Sequence, residues 1–157
     1  MKSKLTNNPV NHPAHYTSHP SGIEAIDVCG YMDFPLGNAY KYMFRFESKW
    51  SPTEDLKKAR WYINRAYFQR TGKLLQNKIK GHTSWDFDFG AFGHGNIVKV
   101  VPVGSNPGDV EKALFYVWAA SDNSTTDLYL LFIRYARFYL DKEITKRKIA
   151  TKRSSNG

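Results

Sequence analysis

This sequence predicts a mainly α fold, α+β in detail: a helical hairpin core with an inserted β-hairpin and C-terminal helices. Three observations carry that expectation. Leu56, Ala59, Ile63 and Ala66 recur at i, i+3, i+7 and i+10, the spacing of one helix face. Leu128, Leu131, Tyr135 and Phe138 repeat that period further on. Between the two, "WDFDF" alternates aromatic and acidic residues and "IVKVVPV" is β-branched, with the glycine-rich "GAFGHGN" joining them.

Taken in order, residues 1–20 are rich in Asn, Pro and His, and Pro9, Pro13 and Pro20 predict an extended arm. A helical core follows over 21–70. Ser21 with Glu24 has the spacing of a capping box, so a first helix is expected from Ser21 to about Gly30, with Ile23 and Ile26 inward. The second helix runs from about Leu36 to Glu47. Ser51, Pro52 and Glu54 are concordant start signals for the third. Residues 71–143 hold the hairpin, over 84–103, and two further helices with Asn106 and Ser124 as caps. The segment 144–157 has five Lys/Arg and no carboxylate, the composition of a disordered basic tail. "ARFYLDK" (136–142) echoes "ARWYINR" (59–65), and each closes a helical pair, the mark of a degenerate internal repeat.

The 157 residues are enough for one domain with a real core. No apolar run approaches the roughly 18 residues of a membrane span, and the N-terminus lacks the apolar stretch of a signal peptide. Cys29 is the single cysteine, so no disulfide framework exists and a reducing cytoplasm is the expected location. The net charge is +9, and residues 51–80 alone hold eight Lys/Arg against two Asp/Glu. Charge so unevenly placed predicts a phosphate-bearing partner: a nucleotide, with nucleic acid less favoured because much of the charge lies in the tail.

Asn38, Lys41, Arg45 and Lys49 fall at i, i+3, i+7 and i+11, so a helix would gather them on one face. Lys58 on the third helix can converge on Lys41 and Arg45 across the hairpin, with Asn38 and Asp55 placed to orient hydroxyls or base edges. Trp61 or Tyr62 can stack a base, and either can equally be core. No P-loop and no dinucleotide fingerprint is present. The glycine-rich loop can cradle a phosphate or simply connect two strands. His12, His15 and His19 have helical spacing, but the prolines beside them break a helix and no metal is assigned. His15 with Tyr16 is a polar and stacking pair that an arm can lay over a ligand. Glu24 and Asp27, one turn apart, have the spacing of a general base with a hydroxyl or metal ligand; the capping box also explains Glu24 but not Asp27.

In order, "HPAHYTSHPSGIEAIDVCGY", "GNAYKYMFRFESK" and "TEDLKKARWYINR" have the pattern H-Y, I-E-x-I-D, G-N-x-x-K-Y-x-x-R, a lysine, and D-L-x-K-A-x-W-Y. Residues 11–68 thereby resemble the SaV-like phage proteins, whose best characterised relative is a podoviral deoxynucleoside monophosphate kinase without a P-loop. The resemblance implies a phage nucleotide-binding protein acting in the host cytoplasm, with kinase activity in one branch. It implies Lys41, Arg45, Asp27 and Glu24 as catalytic residues, and His15, Tyr16, Asn38, Tyr42, Lys49, Asp55, Lys58, Trp61 and Tyr62 as ligand contacts. Mg2+ would accompany a nucleoside triphosphate. The alternatives are a non-enzymatic protein that sequesters a nucleotide or engages a host protein, and a nucleic-acid binder. An isolated hairpin is marginal in water, so a homo-oligomer is expected.

Overall fold

The computed structural model describes residues 10–48, 50–76, 107–122 and 125–156, and every regular element among them is helical. The arm contains α1 (Ala14–Thr17). It leads into α2 (Ala25–Cys29), α3 (Phe34–Arg45) with a 3-10 turn over Phe46–Ser48, α4 (Pro52–Thr71), α5 (Asp109–Asp122) and α6 (Thr126–Ser155). The predicted hairpin over 84–103, the "GAFGHGN" loop, Lys49, and the expected caps Asn106 and Ser124 lie outside the described residues.

Local chemistry sets the helix starts. The Asp33 carboxylate accepts from the Leu36 backbone N–H at 2.9 Å, and Pro35 fits the first turn, so α3 begins two residues before the expected Leu36. Ser51 and Pro52 open α4 as predicted. Gly72 closes it at φ 67°, a left-handed turn that glycine enters without a Cβ penalty, with its N–H bonded to the Phe68 carbonyl. The first core helix departs from expectation. It begins at Ala25 with Glu24 as N-cap, and Ile26 is 63% exposed while Ile23 is buried. The arm is not wholly extended, because α1 makes one turn between Pro13 and Pro20.

The core lies between two helical pairs. Leu36, Ala39, Tyr40 and Met43 of α3 meet Leu56, Ala59 and Ile63 of α4 in one cluster with Ala113, Leu114 and Val117 of α5 and Ile133, Ala136 and Leu140 of α6. On α6 the buried stripe is not the predicted one. Leu128 and Leu131 are exposed, and Tyr129, Phe132, Ile133, Ala136, Tyr139, Leu140 and Ile144 are buried. "LYLLFIRYARFYL" is apolar around most of its circumference, and the helices that pack against it select the stripe. The predicted disordered tail is also corrected: α6 continues to Ser155, with Glu143 and Arg147 paired at 2.8 Å along its surface.

The two echoing segments meet where α4 crosses α6. Arg60 donates to Asp141 at 3.5 Å, and Arg137 donates to Asn64. In the repeat Arg60 corresponds to Arg137 and Asn64 to Asp141, so the contact is reciprocal, as across a two-fold axis. Ring stacking repeats as well. Tyr42 stacks on Tyr62 at 5.9 Å in the first pair, and Tyr116 on Tyr139 at 5.9 Å in the second.

Leu140 is fully enclosed, whereas residues 148–156 are all exposed. Leu140→Ala should therefore cost about 2–5 kcal/mol in urea unfolding. Ending the chain at Arg147 should cost less than about 0.5 kcal/mol; an equal loss from the two changes would contradict this division of the helix.

Candidate functional site

The α3–α4 hairpin brings the cationic face of α3 against the first turns of α4. Arg45 donates through Nε and Nη2 to the two oxygens of Asp55, at 3.0 and 3.3 Å, and through Nη1 to the Tyr16 hydroxyl at 2.7 Å. Both members of the ion pair are largely enclosed, with side chains 13% and 6% exposed. Asp55 thus occupies the guanidinium fork that the sequence assigns to a phosphate. The same bond network fastens the arm, aided by Ser18 on Ser48 at 3.0 Å and by the His19 ring stacked on Phe44 at 4.4 Å.

Tyr42 is the centre of the exposed part. The charged groups of Arg45, Lys41 and Lys58 lie 4.7, 5.0 and 5.7 Å from its ring centroid. Lys41 also donates to the Asn38 side-chain oxygen at 2.8 Å, and Asn38 is itself held by the Phe34 carbonyl. Burial first, and the Arg45 charge second, push the Lys41 ammonium below the ordinary lysine value. Among the described residues no ion pair joins Lys41 or Lys58 to a carboxylate. The aromatic cluster extends outward from Tyr62, with Trp61 edge-on at 4.9 Å and Phe34 edge-on at 6.1 Å.

On the other side of Lys41 a cavity of about 250 Å³ is lined by Tyr16, Glu24 and Cys29. Burial pushes the Cys29 thiol up, which leaves it protonated. The two α2 carboxylates cap the helix reciprocally, Glu24 accepting from the Asp27 backbone N–H, so Asp27 also has the structural role expected of Glu24 alone. Asp27 accepts from the Glu24 backbone N–H at 3.0 Å, and Glu24 also binds His12 Nδ1 at 2.8 Å. Sequence reasoning missed His12 as that partner, because a separation of twelve residues carries no periodic signal. His15 packs on Tyr16, with ring centroids 4.2 Å apart. The three arm histidines thus face different partners, and among the described residues no group of three His, Cys, Asp or Glu is placed to hold a metal.

A larger cavity, about 400 Å³, lies between His19, Ser21, the end of α3 and the start of α5. Its charges are Glu47 and Glu111, so it is unsuited to an anion. Burial lowers the His19 pKa, against the opposing charges of Glu111 and Glu47.

Residues 10–64 match the model of a family described as a protein of unknown function, DUF3310. The matched segment takes in the arm from Val10, α1, α2, α3 and α4 as far as Asn64, and so contains Tyr16, Lys41, Tyr42, Arg45, Asp55, Lys58 and Tyr62. No curated protein and no solved structure matches the chain. Also, no helix among the described residues is long and apolar enough to cross a membrane.

Two expectations follow. Asp55→Asn leaves the enclosed Arg45 without its counter-charge and should cost about 3–5 kcal/mol. The double change Arg45→Ala with Asp55→Phe, which copies Ala119 and Phe132 when the two pairs are aligned on their Tyr42–Tyr62 and Tyr116–Tyr139 stacks, should recover most of that loss in urea unfolding; a double variant no better than Asp55→Asn would refute the correspondence. For His19, the lowered folded pKa means that the unfolded chain takes up its proton first as pH falls below about 6.5. Its contribution to stability is therefore lost on acidification below that point, and melts from pH 7 to pH 5 should show a smaller decline in His19→Asn than in the wild type.

Proposed function

We propose that the α3–α4 face binds a phosphate-bearing nucleotide, with Lys41 and Lys58 holding phosphate and the Phe34–Tyr62 cluster offering a ring to the base. The observation that supports this reading most directly is the gathering of three cations around Tyr42, of which, among the described residues, only Arg45 has a carboxylate partner. A phosphate entering this face gains two uncompensated ammonium groups, one of them already partly desolvated. Asn38 fixes the direction of Lys41, so little side-chain freedom is lost on binding.

The finer reading, a P-loop-less nucleoside monophosphate kinase, draws its support from the resemblance to the SaV-like phage proteins. Its chemistry fits what surrounds the site. Glu24, Asp27 and Asp55 are each engaged, so none of these three stands ready as a base. Phosphoryl transfer onto a nucleoside monophosphate needs none, because the accepting phosphate is ionised at neutral pH and catalysis rests on positioning and charge stabilisation. Lys41 and Lys58 would supply that stabilisation, and Mg2+ would arrive on a nucleoside triphosphate. The engaged carboxylates and the closed Arg45 fork equally suit a protein that sequesters a nucleotide without turning it over.

Calorimetric titration with a panel of deoxynucleoside mono- and triphosphates, run beside a coupled turnover assay, tests the reading. Lys41→Ala and Lys58→Ala should each weaken the best ligand by about 1.5–3 kcal/mol, the scale of a charged hydrogen bond. Equal affinities in wild type and both variants would refute the site. Lys41 is charged only below its lowered pKa, so affinity should fall as pH rises, earlier than the ordinary lysine range near 10.4 would require. Turnover selects the kinase, and binding without turnover selects sequestration.

A further inference from the structure

The outer face of α4 carries features that a mononucleotide site does not use. From Leu56 to Thr71 the helix has no acidic residue, while Lys57, Lys58, Arg60, Arg65 and Arg70 lie along it. Two of these serve the fold: Arg60 reaches Asp141, and Arg70 lies over the Tyr129 ring at 4.3 Å. Lys58 belongs to the Tyr42 cluster; Lys57 and Arg65 are exposed, and no ion pair among the described residues holds them. On the same side Trp61 is 59% exposed and Phe68 41%. Trp61, Arg65 and Phe68 stand at i, i+4 and i+7, one stripe of the helix. With Asn64 and Leu74 they line a concavity of about 340 Å³, and the Arg65 guanidinium lies 5.8 Å from the Phe68 ring centroid.

Large rings held in water are unfavourable unless something covers them. The charge beside them is of one sign, so their cover must be anionic. An acidic compact protein would satisfy the cations, but a planar ring between two aromatic side chains also satisfies the concavity. Flat rings joined by a phosphate chain combine both properties, and only when unpaired, since a duplex keeps its base faces stacked on each other. We infer that the outer face of α4 binds single-stranded nucleic acid, with a base stacked in the concavity against Trp61 and Phe68 and backbone phosphates met by Lys57 and Arg65. From Lys57 to Phe68 the strip is about 16 Å long at 1.5 Å per residue, room for a short oligonucleotide segment. It adjoins the Tyr42 cluster through the Trp61–Tyr62 contact, but it does not depend on that site.

Fluorescence anisotropy of a labelled oligothymidylate of about twelve nucleotides, titrated with the full chain at about 50 and 200 mM salt, tests the inference. The wild type should bind it, more weakly at the higher salt, and should prefer it to a duplex of equal length. Trp61→Ala and Phe68→Ala should each weaken binding about tenfold, the usual effect of losing one stacked base, with the salt dependence unchanged. Lys57→Ala with Arg65→Ala should reduce the salt dependence instead. Trp61 and Phe68 stand on the surface, and unchanged melting curves would show that both variants fold; Trp61→Phe, which keeps a ring, should rescue binding. The Lys41→Ala protein should lose mononucleotide affinity and keep the oligonucleotide, which separates failure of one site from failure of the other. No binding at the lower salt, equal binding of the duplex, or wild-type affinity in both ring variants would overturn the inference and leave the face to a protein partner.

Discussion

The ion pair between Arg45 and Asp55 is the constraint on which the rest of the molecule depends. It joins α3 to α4 at a point where both side chains are nearly enclosed, and by its third donor it ties down the arm through Tyr16. Enclosed pairs of this kind contribute little net stability over an apolar contact, because both charges are desolvated. Their effect is to make alternatives costly. Sliding α3 along α4 by one turn would strand a guanidinium and a carboxylate in the interior, so the register of the hairpin is fixed even though Ala39, Ala59 and Ala66 would tolerate several packings. The fixed register then determines which cations surround Tyr42, and burial, with the Arg45 charge second, makes Lys41 a weaker base than an ordinary surface lysine.

Around Tyr42 the same economy extends to the uncompensated charges. Lys41 and Lys58 lie near the face or edge of a half-buried ring, whose quadrupole offsets part of their mutual repulsion without neutralising them. A carboxylate in the ring's place would close the site as Asp55 closes Arg45. The aromatic residue keeps the ammonium groups oriented and leaves their charge available to a ligand.

Much of the first pair was legible in the sequence. The start of α4 at Ser51 and Pro52, its buried stripe through Leu56, Ala59 and Ile63, and the gathering of Asn38, Lys41 and Arg45 follow from local spacing alone. What was not legible depends on partners distant in sequence. Asp55 falls on a polar stripe, and nothing in its neighbours shows that Arg45 buries it to 4% exposure. Asp27 joins Glu24 in the capping box because the helix begins at Ala25, and Glu24 also holds His12. On α6 too many positions are apolar for periodicity to choose one stripe, and α4 and α5 make the choice. The basic end of α6 lacks apolar content to bury, yet it continues as helix because the helix is already nucleated by its packed first turns.

The reciprocal crossing of α4 and α6 has a consequence for stoichiometry. Aligned on the Tyr42–Tyr62 and Tyr116–Tyr139 stacks, Lys41, Arg45, Asp55 and Lys58 of the first pair fall on Phe115, Ala119, Phe132 and Tyr135 of the second. Phe115, Ala119 and Phe132 are fully enclosed or nearly so. The first pair keeps charge at its surface, and the second has packing at the positions aligned with it. The two pairs are therefore asymmetric where they reach the surface: each chain offers one Tyr42 face, so a ligand bound there would saturate at one per chain with a hyperbolic isotherm, and the second pair would add packing but no second site.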